Sequence, residues 1–341
     1  MAELTPKEKT VAYVGVGLWA LGCLVGFLIQ FYFDFIAVLM GPHAASILVA
    51  QFVGAAIALP ACFVYMSVPL LIDRFEPEPW WCLAMAWLWG IFGAGGIAMV
   101  INTLMGHIGG AVAGEVGEQV MGAVISAPLV EESTKALAVL GMFLFLRRQF
   151  DGVVDGFIYA SFAGLGFALS ENISYYARGL LTDSLGFQVP LRGILRPWNH
   201  PFYAAITGIG LGIARETTKS WVKVVAPVGC FLLAGTLHAV WNAHGLVAAL
   251  LGIGGAGPMV IMILLFFTMM LCLVGIVIYF VVREGRTLRS FLRDEVAMGT
   301  LTEDEVRLIV SPFGRLKARF GPGGKTGADF VKAAVRLAMC K

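Results

Sequence analysis

The feature that most restricts this chain is a succession of long apolar runs, each about the length needed to cross a bilayer. A membrane-spanning helix needs about 20 apolar residues, whereas a spanning β-strand needs only about ten in alternation. Eight runs meet the helical criterion: Val11–Phe33, Ala44–Ile72, Trp80–Ile101, Val120–Leu146, Val153–Tyr175, Trp198–Ala214, Val224–Leu250 and Pro258–Val282. The composition agrees, with 59% hydrophobic and only 13% charged residues, against about 25% charged in soluble domains. The expected fold is therefore all-α, a polytopic membrane bundle of about eight transmembrane helices over residues 1–282. From Arg283 onward the chain carries 12 of its 24 Lys and Arg residues, and residues 283–341 read as a small helical cytoplasmic tail. There Thr302-Glu303-Asp304-Glu305 has the form of a capping box, Asp329 to Met339 suits a second helix, and Phe320-Gly321-Pro322-Gly323-Gly324 suits a turn between them.

Loop charges orient the bundle. With the N-terminus in the cytoplasm, the inside loops hold Lys7, Lys9, Arg74, Arg147, Arg148, Arg215, Lys219 and Lys223. The outside loops hold only Arg178, Arg192 and Arg196. This asymmetry follows the positive-inside rule and puts both termini in the cytoplasm. The first apolar run lacks a small-residue cleavage site and reads as a retained helix rather than a signal peptide. No stripe of basic and aromatic residues suggests a nucleic-acid partner. The six cysteines, Cys23, Cys62, Cys82, Cys230, Cys272 and Cys340, contain no C-x-x-C pair, which excludes a thiolate zinc site of that form and a disulfide framework.

Against this background a few polar residues stand out, because an ionisable side chain at mid-membrane costs at least about 2.5–3.5 kcal/mol on insertion scales. Glu131, Glu132 and Lys135 lie in the fourth run, Glu171 and Asn172 late in the fifth, His200 at the start of the sixth, and His238 and Asn242 in the seventh. Lys135 is placed to pair with either glutamate at helical spacing, yet one lysine cannot neutralise two carboxylates. The remaining glutamate needs a proton, a metal or another partner. His238 and Asn242 are four apart and share a helical face. A buried ion pair that fixes helix register would explain the glutamates and lysine alone. The depth shared by four consecutive helices fits a site inside the bundle. Glu171, His200 and His238 make up a His₂Glu set of the kind that holds catalytic zinc. In that scheme Glu132 serves as general base, and Asn172 or Asn242 donates to an oxyanion. A proton-coupled transporter, or a catalytically silent sensor or scaffold, would carry some of the same residues.

The motifs E-E-x-x-K (Glu131, Glu132, Lys135), F-x-x-x-E-N (Phe167, Glu171, Asn172), H-P-x-x-x-A (His200, Pro201, Ala205) and H-x-x-W-N (His238, Trp241, Asn242) occur in that order. In this the chain resembles the PrsW family of bacterial intramembrane proteases, related to the CAAX-protease and bacteriocin-processing superfamily. The resemblance covers roughly 72–250, with the core motifs at 128–245. It implies an integral protein of the bacterial plasma membrane that cleaves a membrane-anchored protein or peptide, with anti-sigma-factor-like substrates among those expected. It implies an active site of Glu131, Glu132, Glu171, His200 and His238, working either with bound zinc or as a metal-free glutamate protease.

Overall fold

The computed structural model describes residues 5–73, 77–311 and 313–339. Arg74, counted above among the inside charges, Cys340 and the first four residues lie outside them. The described residues are overwhelmingly helical and contain no strand. Six helical stretches are long and apolar enough to cross a membrane, and the bundle is polytopic and all-α. We number the helices of the first compact unit, residues 5–73 and 78–269, as α1 (Pro6–Leu39), α2 (Ala44–Ile72), α3 (80–112), α4 (115–145), α5 (Val153–Leu181), a short α6 (185–195), α7 (Asn199–Glu216), α8 (Val222–Leu250) and the start of α9 (Gly257–Phe291).

The six stretches differ from the eight sequence runs in two places, each with a local cause. Trp80–Phe145 is one continuous apolar helical stretch, but Ala113 (φ −139°) and Gly114 (φ +62°, ψ −153°) leave helical geometry. The left-handed φ is one that glycine adopts without steric cost. The chain turns back there, and α3 and α4 pack so closely that a Cβ on Gly109 would lie 2.2 Å from the Gly117 carbonyl oxygen. The second place is α7. It is the shortest of the long helices and carries polar groups at its start, so it falls outside the six. It is also the least dependent on lipid, since most of its residues are buried.

The organising element is α5, in which every residue from 156 to 169 is buried. Small residues allow this, because in lipid helices associate chiefly through close packing. Along α7 the two backbones touch: a Cβ on Gly208 would meet the Gly156 carbonyl oxygen at 1.9 Å, and one on Gly164 would meet Pro201 Cα at 2.6 Å. On the other side Gly166 lies against the Trp87 carbonyl and Gly54 of α2 against that of Ile173. The antiparallel seam with α7 fixes register, pairing 156 with 208 and 164 with 201. The last turns of α5 are thereby brought to the segment just before α7. Side chains that reach backbone carbonyls pin the outer helices: Trp89 Nε1 donates to Thr134 O at 2.8 Å and Gln30 Nε2 to Ile91 O at 2.7 Å.

The opposite end of α5 is tied down by acidic residues. Asp155 accepts from the backbone N–H groups of Asp151 (2.7 Å) and Gly152 (3.1 Å), capping the helix. Glu78, just ahead of α3, accepts the Tyr159 hydroxyl hydrogen bond, and its own N–H donates to Asp73 at 3.0 Å. Burial, reinforced by the nearby Asp155 and Asp73 carboxylates, pushes the Glu78 carboxyl up to about 10.

The second compact unit, whose described residues are 77, 270–311 and 313–339, has its own small core. After α9 come α10 (Arg293–Ala297), α11 (Glu303–Val310), α12 (Gly314–Phe320) and α13 (Gly324–Met339). Leu288, Leu292, Ile309, Val331 and Val335 are among the residues packed together. Thr302 and Glu305 form the expected capping box: Thr302 N donates to Glu305 Oε2 at 2.7 Å, and Glu305 N donates to Thr302 Oγ1 at 3.2 Å.

Two outcomes follow for stability. Gly208→Ala forces backbone apart and lowers stability by about 1–3 kcal/mol, read as a lower unfolding temperature in detergent. Gly235→Ala, whose Cβ meets nothing within 4 Å, leaves that temperature in place. For Glu78, a folded-state value far above the unfolded one means that the native state holds a proton the unfolded state has lost. The contribution of Glu78 to stability is therefore lost as pH rises from about 5 toward 10, and Glu78→Gln removes that part of the slope. Unfolding temperatures at pH 5.5 and 8.5 measure both.

Candidate active site

The α5–α7 seam sets the site's depth. With Gly164 against Pro201, His200 lies beside the Phe167 ring (centroids 5.0 Å apart), and Phe167 is one turn before Glu171 on α5. The fourth helix arrives differently. Pro128 has no N–H for the carbonyl four residues earlier, and the chain is π-wound over Val120–Ser126 immediately before it. Such widened turns recur at functional sites. This one precedes the turn that carries Glu131 and Glu132. From α8, His238 stacks on Tyr203 of α7, centroids 4.9 Å apart and planes 12° from parallel.

Each carboxylate has a different set of partners. Glu132 Oε1 accepts from Lys135 Nζ at 2.6 Å and lies 2.8 Å from His238 Nδ1. Lys135, with 0% of its side chain exposed, sits over the Phe167 ring at 4.7 Å and 3.3 Å from His200 Nδ1. Glu171 Oε2 accepts from Arg192 and lies 2.7 Å from His200 Nε2. Glu131 Oε1 accepts from Asn102 of α3 at 3.2 Å, and Asn102 in turn accepts from Ser126 at 2.8 Å. Like Glu132 Oε2, Glu131 Oε2 is buried with no hydrogen-bond partner. The groups nearest to it include His200 Nδ1 at 3.7 Å and His238 Nε2 at 3.9 Å.

The two histidines therefore have parallel roles. One ring nitrogen of each is held by a carboxylate, Glu132 for His238 and Glu171 for His200, and the other faces Glu131. Ligand imidazoles are commonly held in this way, the outer carboxylate fixing tautomer and ring orientation. Among the described residues, Glu131, His200 and His238 form the group whose donor atoms lie within 4.8 Å of one another. The donor types, the burial and the orphaned Glu131 oxygen all fit a divalent cation.

These side chains open on a cavity of about 480 Å³. Glu131, Glu171, His200 and His238 line it, as do Asn172 and Asn242, whereas Glu132 and Lys135 stand behind. Asn172 Oδ1 accepts from Arg192 Nε at 2.8 Å, leaving its amide hydrogens free, and Asn242 donates one of its own to Ala123 O at 2.8 Å. The structure thus brings all eight sequence candidates into one neighbourhood. Asn102, Ser126, Arg192, Asn199 and Tyr203 also belong to it and escape a sequence reading. Asn102 and Ser126 are unremarkable polar residues in apolar runs, Tyr203 is one aromatic among many, and Arg192 counts there as a loop charge. Asn199, adjacent to His200, carried the one usable hint.

Comparison with known proteins bears on this geometry. The family described as PrsW family intramembrane metalloprotease matches residues 78–276, more than half of the chain. A protein named Protease PrsW from Oceanobacillus iheyensis is 33% identical over 99 residues, covering 29% of this chain and 43% of that protein. The match thus spans less than half the length of that relative. No solved structure matches. The matched stretch contains every glutamate and histidine of the cavity floor, and the chain belongs to the PrsW family of intramembrane metalloproteases.

Proposed function

We propose that this chain is an intramembrane endopeptidase in which Glu131, His200 and His238 hold a zinc ion at the floor of the cavity. The observation that carries this reading is Glu131 Oε2, a buried carboxylate oxygen without a hydrogen-bond partner that faces two imidazole nitrogens. This differs from the Glu171, His200, His238 set favoured by sequence, because Glu171 is engaged by Arg192 and His200. When bound, the metal lowers the pKa of a water and polarises the scissile carbonyl.

The remaining work falls to the chain's own groups. Glu171 lines the cavity with only one oxygen engaged, so its other oxygen is the base that takes the water proton and returns it to the leaving amine. Arg192 keeps that carboxylate oriented. The free amide hydrogens of Asn172 and Asn242 supply donors for the oxyanion. Glu132, packed behind the cavity, is a positioning residue rather than the base: with Lys135 it holds His238 in the tautomer that presents Nε2 to Glu131. The substrate is a membrane-anchored protein or peptide, with an anti-sigma-factor-like protein as the instance suggested by the family. The protein's place is the bacterial plasma membrane, as the family suggests, with both termini cytoplasmic, as the loop charges support.

One observation favours a second reading. Lys135 Nζ lies 3.3 Å from His200 Nδ1, so the ammonium already engages that lone pair. In a metal-free site Glu131 Oε2 would itself take the water proton. The transporter and silent-scaffold alternatives have no comparable observation in their favour.

The test is a mass-spectrometric survey of new protein N-termini in native membranes. Glu131→Gln should remove the wild-type cleavage products altogether. Glu132→Gln should leave the same products at a rate about 10–100-fold lower, the range for an outer-shell partner. Identical profiles for wild type and Glu131→Gln, with both proteins folded and abundant, would overturn the endopeptidase reading.

A further inference from the structure

The turn that leads into α7 and the first residue of α7 carry two polar side chains that the network above does not use. Asn199 is 6% exposed, its Oδ1 is buried without a hydrogen-bond partner, and it lines the cavity next to His200. Arg196 lines the same cavity, with its Nε buried and unpartnered and its guanidinium 5.7 Å from the centre of the Trp241 ring. The backbone joins them, since Asn199 N donates to Arg196 O at 3.4 Å.

Neither is explained by the local charge balance. Lys135 neutralises Glu132 and Arg192 neutralises Glu171, while Glu131 faces the histidines. Glu118, a further carboxylate of the cavity, lies on α4 and forms no ion pair with Arg196 among the described residues. Arg196 therefore forms no ion pair among the described residues, and it lies beside an amide with an unsatisfied acceptor. Unpaired polar atoms in such a setting are costly unless a partner arrives. A guanidinium offers carboxylates a planar, two-pronged donor surface. A carboxamide offers both halves of the hydrogen-bond pair made by a main-chain peptide group.

We propose that Asn199 and Arg196 form the subsite that grips the substrate polypeptide beside the scissile bond, Asn199 through a main-chain amide and Arg196 through a side-chain carboxylate. Preferred substrates carry an aspartate or glutamate close to the cut. This rests on the endopeptidase reading and names the substrate class for the same cavity.

The experiment uses binding, so that it does not depend on turnover. The probes are synthetic single-span peptides in which one glutamate, or glutamine in its place, is walked through the residues flanking the span. Kd is measured against the full-length Glu131→Gln protein in nanodiscs of neutral phosphatidylcholine. At one position, or two adjacent ones, glutamate should bind about tenfold tighter than glutamine. Adding Arg196→Met should bring that ratio to about one, while adding Arg178→Met, outside the cavity, should leave it unchanged. Adding Asn199→Leu should weaken every peptide while preserving the ratio. The proposal is overturned if no peptide binds, if the ratio is one at every position, or if it survives Arg196→Met. It is also overturned if phosphatidylglycerol in the disc abolishes the ratio through competition at Arg196, which would make this a lipid-headgroup site. Cleavage by wild type with a ratio of one would sink the subsite alone. A ratio of ten without any cleavage in the membrane survey would sink the endopeptidase reading alone.

Discussion

A carboxylate inside a helical bundle in lipid must find its partners within the bundle, and much of this structure follows from how three of them are held. Glu132 takes a lysine and an imidazole, Glu171 an arginine and an imidazole, and Glu131 an asparagine on one oxygen only. Breaking such a buried pair by removing one partner typically costs about 3–5 kcal/mol. The three cannot be rearranged independently, because each imidazole that orients one carboxylate also faces Glu131. Glu132 and Glu131 each keep one buried oxygen without a hydrogen-bond partner, and it is Glu131 Oε2 that sits where both histidines present their remaining nitrogen.

Backbone contact makes this network possible. The side chains come from α4, α5, α7 and α8, and their reach is a few ångströms, so helix register has to be held to about that tolerance. The Gly156–Gly208 and Gly164–Pro201 contacts do so directly, since neither helix can slide without forcing carbonyl oxygens into Cα atoms. The hairpin at Ala113–Gly114 serves the α4 side. It brings Asn102 of α3 back against Glu131 and allows the widened turn before Pro128 to set the angle of the glutamates.

Much of this was legible in the sequence, for physical reasons. Long apolar runs announce membrane helices, and Glu131, Glu132, Lys135, Glu171, His200 and His238 stand out because charge there is expensive. What spacing could not reveal is which oxygen faces which nitrogen. Glu131 and Glu132 are neighbours on one helix, so they point about 100° apart, and only the packing of α7 and α8 decides which of them meets the cavity. Residue type alone suggests Glu132 as base and Glu171 as ligand, and it carries no information about that angle. Arg192 and Arg196 were hidden for the opposite reason: as arginines between apolar runs they look like ordinary loop charges. The segment that carries them instead folds against the end of α5, where Arg192 meets Glu171 and Asn172.

The central claim is that Glu131, with His200 and His238, is the metal-binding centre of the site. X-ray absorption at the zinc edge, on protein purified from zinc-supplemented cells and shown to cleave, tests it most directly. The account predicts about one zinc per chain, a first shell of two imidazoles and carboxylate or water oxygen without sulfur, and loss of that signal in Glu131→Gln. Fully active protein with no bound transition metal, or a zinc shell unchanged by Glu131→Gln, would contradict it.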